Sequence, residues 1–313
     1  MHRISPLIVG TLLFITACGT RQETGVSVSR AVRRMIPPNA RALAGIDISA
    51  LKNTSFYKRE GYRLSVPILD ATKERLGLDP RHDLRQAVIV WDGKRYLLVL
   101  EGQFSPAALE QKLKAAGAHE TIYRKRRLIG DIANSLAVLN PDVIAAGPLE
   151  TLEPAIDRFE DGGGSVPQSL QQQLAKVSKG GQIWLVSTGG LPFVEIRMRS
   201  DIESALSNIV DYVNASNAGL SIDTGLHLHA EVSCISEQGA KRVHDAVRGL
   251  VGFGRLSTKD NETELLRIYD SVQVNRKQQI VELRADLTGE LADSLLNRLQ
   301  LGNGAAVRPS QPR

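Results

Sequence analysis

Short apolar runs separated by turn residues dominate the chain, and helical spacing takes over between them. Ala42 to Ile48 reads as a buried strand, followed by Ser49 as the N-cap of a helix through Leu51. Leu64, Ile68 and Leu76 keep helical spacing over 62–76. Gly77 stands where a C′ glycine ends a helix, and Pro67 marks a kink or a late start. Gln86 to Trp91 and Arg95 to Leu100 flank Asp92-Gly93, a dipeptide suited to a type I′ hairpin turn. Ala87 to Val90 are apolar on both faces, which places the first of these strands inside its sheet. Ser105-Pro106 then opens a helix with Leu109 and Leu113 inward and Gly117 as its stop. Ser135 to Leu139 and Val143 to Gly147 form a second hairpin around Asn140-Pro141-Asp142, leading into a helix from Leu149 to Phe159.

Asp161-Gly162-Gly163-Gly164-Ser165 is the strongest linker signal, and much of the same order returns after it. Gln182 to Ser187 reads as a strand, Ile202 to Val213 as a helix and Gly225 to Cys234 as a strand. Ser236 caps a helix with Val243, Val247 and Leu250 inward. Ser271 to Val274 and Gln279 to Leu287 make a hairpin around Asn275-Arg276-Lys277, before a last helix from Glu290 to Leu299. Both Ser105 and Ser236 leave a strand to cap a helix, and each half ends on a hairpin followed by a helix. The order implies a diverged internal duplication. The expected fold class is α+β: two related halves of antiparallel sheet with helices packed on one face. The expected boundaries are a first half at 37–161, a linker region at 162–181 and a second half at 182–301. A polar tether is expected at 18–36 and a disordered tail at 302–313.

The N-terminus carries an address. Arg3, the apolar run Leu7 to Ile15 and small residues before Cys18 have the layout of a secretory signal peptide over 1–17. The run is too short to span a bilayer, which takes about 20 apolar residues. Ile15-Thr16-Ala17-Cys18 resembles the lipobox of bacterial lipoproteins. That resemblance implies a diacylglycerol on the Cys18 sulfur, cleavage after Ala17 and a cell-envelope location tethered by lipid. Gly19 in place of Asp implies the outer membrane, facing the periplasm, if the organism is Gram-negative. Leu76-Gly77-Leu78-Asp79-Pro80, leading through Asp83 into the Val88 strand, together with the hairpin-then-helix endings, resembles an uncharacterised family of envelope lipoproteins with a duplicated α+β unit. That family lends no catalytic residues.

Charge and composition narrow the partners. A formal charge of +5, with 4% aromatic residues, is too mild for nucleic acid and offers few stacking rings. Apart from Cys18 only Cys234 remains, so no internal disulfide forms, and Cys234 falls on the apolar side of a strand as a buried, inert thiol. His227, His229 and Glu231 alternate along that strand and share its other face. Such a set suits a divalent metal, and equally the wet face of a half-covered sheet. Arg124-Lys125-Arg126-Arg127 is a basic cluster that suits an anionic lipid or cell-wall partner, or a solvated loop. Gly-x-Ser-x-Gly, a phosphate-binding Gly-Lys loop, a dinucleotide Gly-x-Gly-x-x-Gly and His-Glu-x-x-His are all absent. No catalytic residue and no cofactor is therefore assigned. The leading expectation is a lipid-anchored, non-enzymatic binding module with an envelope protein as possible partner. The alternatives are a metal-dependent hydrolase using His227, His229 and Glu231, and a structural envelope-assembly factor.

Overall fold

The computed structural model describes residues 25–60, 77–178, 180–189, 209–295 and 298. The signal peptide, Cys18, the helix expected over 62–76, residues 202–208 of the Ile202 helix and the C-terminal tail lie outside the described residues.

The chain is α+β, with one antiparallel sheet of twelve strands. In the first half the elements are α1 (Arg30–Met35), β1 (Ala42–Asp47), α2 (Ile48–Asn53), α3 (Ser55–Glu60), α4 (Pro80–Asp83), β2 (Leu84–Trp91), β3 (Tyr96–Gly102) and α5 (Pro106–Ala115). They continue with β4 (Glu120–Tyr123), β5 (Arg126–Gly130), β6 (Ser135–Asn140), β7 (Val143–Gly147) and α6 (Leu149–Asp161). After α7 (Gln168–Leu174) come β8 (Ile183–Thr188), β9 (Val213–Ile222), β10 (Leu226–Cys234), α8 (Glu237–Leu256), α9 (Thr263–Asp270), β11 (Val272–Lys277) and β12 (Ile280–Leu287). Residues 289–295 are again helical.

The strands lie in the order β11-β12-β10-β9-β8-β1-β2-β3-β7-β6-β5-β4. With β4 and β5 set aside, the order outward from the central pair is the same on both sides: β1-β2-β3-β7-β6 one way and β8-β9-β10-β12-β11 the other. The join is the antiparallel pairing of β1 with β8, where Gly45 faces Trp184. A Cβ on Gly45 would come 2.3 Å from the indole Cζ2, so the ring occupies the space a side chain would take.

Side chains alternate between the two sheet faces. On one face Leu43, Val88, Val90, Leu97, Val99, Ala145 and Trp184 join the main core beneath α1, α6 and α7. On the other, Ile144, Leu100 and Val138 pack with Leu109 and Leu113 of α5. Further along that second face, β10 and β12 pack on Ala240 and Val243 of α8, on Leu265 and Ile268 of α9 and on Leu291 and Ala292. Helices on a single face were expected. That describes β10, β11 and β12 only: the first half is apolar on both faces and covered twice, and α7 covers β8 and the adjoining β9 on the main-core face.

Other expectations are corrected by packing. The tether expected to run to Ile36 ends earlier: Val28, Val32, Met35 and Ile36 recur at helical spacing and are buried in the main core. Ser29 caps α1 by accepting from the Val32 amide at 3.1 Å, and its own hydroxyl donates to Glu101 at 2.6 Å. Gly25 N donates to the Val177 carbonyl at 2.6 Å, so the chain is tied down from that residue on. The linker region contributes α7, whose Leu170 and Leu174 join the same core, and Gly164 sits so close to α1 that a Cβ would lie 1.9 Å from the Arg34 carbonyl oxygen. Asp47, not Ser49, caps α2, accepting from Ala50 N at 2.8 Å. The β2–β3 hairpin forms, but its Asp92 carboxylate accepts from the amides of Lys94 and Arg95 in a four-residue loop, and only Gly93 takes positive φ. The last hairpin turns at Gln278 rather than at Asn275-Arg276-Lys277, which pair within β11. Val213 starts a strand, β9, where a helix was expected to end.

Met35→Ala is expected to cost about 2–5 kcal/mol of unfolding free energy, read by urea denaturation; a tether residue would leave the midpoint unmoved. Gly45→Ala is expected to cost roughly 1–3 kcal/mol by overpacking against Trp184. An unchanged midpoint in that variant would show that the indole is not fixed over the β1–β8 join.

Candidate functional site

The basic cluster is a hairpin turn in which Arg124, Arg126 and Arg127 each meet carboxylates. Arg124 and Lys125 take φ of 45° and 63° between β4 and β5, the left-handed pair that a two-residue turn demands. Arg124 meets Asp157 at 2.7 Å and Asp161 at 2.9 Å, both on α6. Arg126 contacts Glu160, and Arg127 reaches Glu110 of α5 at 2.7 Å and Glu120 at 3.3 Å. Tyr123 donates to Asp157, and that contact, with burial adding to it, raises the phenol above its ordinary pKa. Glu120 is held below the usual carboxylate range, first by its hydrogen bond to Lys114 at 2.5 Å. A depressed carboxylate is charged and paired at neutral pH, and its contribution disappears as pH falls through the lowered value. The three arginines thus stabilise the turn through local carboxylates, with Lys125 beside Arg124 in the turn itself. Arg33 and Arg34 are also spent internally: Arg33 donates to the Val28 carbonyl at 3.1 Å, and the Arg34 guanidinium lies 5.0 Å from the Phe159 ring centroid.

The histidine strand is β10, and its two faces differ as expected. Leu226, Leu228, Val232 and Cys234 face the helices. Cys234 is 3% exposed and its thiol is pushed up by burial, as befits an unreactive core residue. His227, His229 and Glu231 face the opposite side, but the structure does not gather them around one point. His227 Nδ1 contacts Asp286 on β12 at 2.7 Å, and Glu231 accepts from Lys176 Nζ at 2.6 Å. His229 lies between them, with its Nε2 buried and lacking a hydrogen-bond partner. Among the described residues no group of three or more His, Cys, Asp or Glu is arranged to hold a metal ion.

What the topology does assemble is a polar face shared by three strands. The register sets His227 opposite Asp286 and His229 opposite Arg284 on β12, and opposite Ser221 and Gly219 on β9. The turn of chain after α7 crosses above β9: Gln173 accepts from Asn217 at 3.1 Å, and a Cβ on Gly219 would meet Val177 at 3.0 Å. Between that crossing and the sheet lies a pocket of ≈ 310 Å³, lined by Lys176, Ser178, His227, His229, Arg284 and Asp286 among others. The described helices that cover β10, β11 and β12 pack on the other side, so this face is open, with half of the His227 side chain and 54% of Arg284 exposed. Asp286, His227 and Ser221 stand in a row, but among the described residues no hydrogen bond joins His227 to Ser221, so the hydroxyl lacks the base contact an activated nucleophile needs.

No protein-family model and no curated protein matches this chain. Among solved structures, crystal form III of TP0453 aligns with a TM-score of 0.51 at 9% identity, covering 87% of this chain and 99% of that one. Crystal form I of the same protein aligns with a TM-score of 0.46 at 10% identity over 88% and 98%. The likeness to form III is one of fold.

Arg284, Asp286 and Lys176 were not singled out from the sequence. The first two carry a signal, the alternation Glu282-x-Arg284-x-Asp286, which repeats the pattern of β10 on the strand that pairs with it. Lys176 comes from the linker region and has no local signature.

Replacing Lys114 with Ala is expected to raise the Glu120 carboxyl pKa toward its ordinary value, followed by carboxyl-carbon NMR; no change would mean the β4–β5 turn does not hold its charges as described.

Proposed function

We propose that this chain is a lipid-anchored cell-envelope protein, held by acylation at Cys18, that binds a ligand or partner without carrying out chemistry. The observation that carries the binding part is the open polar face of β9, β10 and β12, with its pocket, on a sheet whose other exposed stretches are covered by helices. A covered face follows from apolar side chains that must leave water; a face of His, Arg, Asp and Glu left open in a fold this size supports contact with something polar. The anchoring part rests on Ile15-Thr16-Ala17-Cys18 and on the apolar run before it. No described helix is long and apolar enough to cross a membrane, so membrane attachment by this reading falls to the lipid. Acyl chains contribute about 0.8 kcal/mol per buried CH₂, and two or more chains give a stable anchor where one gives a reversible one.

The mirrored strand order supports descent of the two halves from one duplicated unit: a strand, a hairpin, a helix, a second hairpin and a helix. The first half has since been closed by α1 and α6, and the second has kept its face open. The mature protein in this reading lies in the envelope, on the periplasmic side of the outer membrane where there is one.

Cys18→Ala is expected to abolish acylation, seen as loss of the lipid mass on the N-terminal peptide, and to move the protein from the membrane to the soluble fraction. Retention of the variant in the membrane fraction with its mass unchanged would defeat the anchored reading.

A further inference from the structure

We infer that the pocket on the second half of the sheet takes the anionic group, a carboxylate or a phosphate, of a small polar ligand, with Arg284 as its main contact. This rests on the reading of that face as a binding surface and names what it binds.

The charge of the lining points that way. Lys176 and Arg284 are permanent cations, His227 and His229 are imidazoles, and Asp286 is the one carboxylate among the lining residues. Asp286 is already engaged by His227 at 2.7 Å, and Lys176 by Glu231 at 2.6 Å. Arg284 differs from both. Its one carboxylate contact is to Glu282 at 3.4 Å, between side chains that are 54% and 38% exposed, and an ion pair that long and that wet holds its partners weakly. A guanidinium presents paired donors in a fork that matches carboxylate and phosphate oxygens, so it can exchange this loose contact for a bidentate one.

A second observation lies directly beside it. His229 is the cross-strand partner of Arg284, on the same face, and lines the same pocket. Its Nε2 is buried and has no hydrogen-bond partner. A buried polar atom left unpaired is disfavoured, and an anion held by Arg284, with the adjoining imidazole turned toward it as the Nε2–H tautomer, would supply the missing partner. Gly219, on the β9 side of His229, and Gly181 line the pocket with backbone rather than side chain. The volume of ≈ 310 Å³ suits a small ligand rather than a peptide segment. An acidic ligand would also find the Lys176 ammonium and the His227 imidazole in the lining, and serine hydroxyls at Ser178 and Ser221 for its neutral oxygens.

The test is a titration of the full chain with inorganic phosphate and, separately, with acetate, following the imidazole signals of His227 and His229 by NMR against sodium chloride at matched ionic strength. Saturable movement of the His229 signal with either probe, and not with chloride, is expected; which probe saturates at lower concentration tells a phosphate ligand from a carboxylate one. Arg284→Ala is expected to weaken binding at least tenfold, and Arg255→Ala, on α8 across the sheet, to leave it unchanged. Glu282→Ala removes the competing carboxylate and is expected to tighten binding, a gain that a damaged fold would not produce. Titration of Arg284→Ala within twofold of wild type, equal shifts with chloride, or no tightening in Glu282→Ala would overturn the inference. Loss of phosphate and acetate binding with Cys18 acylation intact would sink the ligand class and leave the anchored reading standing; the reverse pair of results would sink the anchor and keep the pocket.

Discussion

Gly45 has no side chain, and Trp184 lies where one would be. That exchange of volume across the β1–β8 pair is what lets a seven-strand and a five-strand array become one sheet. An indole is too large to stand beside a β-branched neighbour in the middle of a flat strand pair without splaying it. Over a glycine it lies down, and it joins Leu43, Val88 and Val186 in one continuous core. The strain-free entry of the ring also places α7, because Leu170 and Leu174 close over the same cluster. From α7 the chain runs on through Lys176 and Val177, so the upper wall of the candidate pocket is set by the same join that makes the sheet continuous.

The first half shows how a mostly polar segment is drawn into a core. Residues 25–36 carry three arginines, yet Val32 and Met35 of the six-residue helix, and Val28 and Ile36 on either side of it, are buried in the core beneath α6. A helix that short has no stability of its own. It forms because its apolar side has a partner, Ser29 caps its start, and Arg33 and Arg34 reach a carbonyl and a ring. Arg158 of α6 closes the contact by donating to the Met35 carbonyl at 3.0 Å. Burial lowers the pKa of that guanidinium, which remains a cation at any ordinary pH.

How much of this was legible follows from where the information sits. The hairpins at Asp92-Gly93 and Asn140-Pro141-Asp142, and the helix starts at Ser105 and Ser236, are written in neighbouring residues and stand where the sequence puts them, although Ser236 caps with its side chain and Ser105 makes no such hydrogen bond. The two faces of β10 were legible too, because alternation is local. The α1 segment was obscured because three arginines hide a four-residue apolar stripe, and α7 because a Gly-rich entry looks like a linker. The extent of β9 was lost because Asn214, Asn217 and Ser216 lower its apolar contrast, while its partners on both sides, β8 and β10, supply the pairing that makes it a strand. The partners of the basic cluster were illegible for a different reason. Its positive φ turn and its carboxylate partners on α5 and α6 belong to the tertiary structure, and a run of like charges reads as a patch until those partners are placed.

The two sides of the central pair use one strand layout and put opposite chemistry on it. On β7 and β6 the side chains of the α6-covered face are Val143, Ala145, Ala137 and Leu139, all buried. The strands in the same places on the other side, β12 and β11, present Glu282, Arg284, Asp286, Gln273 and Asn275 on that face. Apolar surface left in water costs about 25 cal/mol per Å², so the first set calls for a cover and α6 provides it with Leu152, Ala155 and Ile156 fully buried. The second set would pay a desolvation penalty under any apolar helix, so cover there is selected against by the strand sequences themselves. Among the described residues, the segment that approaches is 175–178, with a lysine for Glu231 and a valine for the bare backbone of Gly219, and it reaches β9 and β10. The difference between the two sides is therefore written into the alternation of β10 and β12, whose polar side chains share the face that is apolar on β6 and β7.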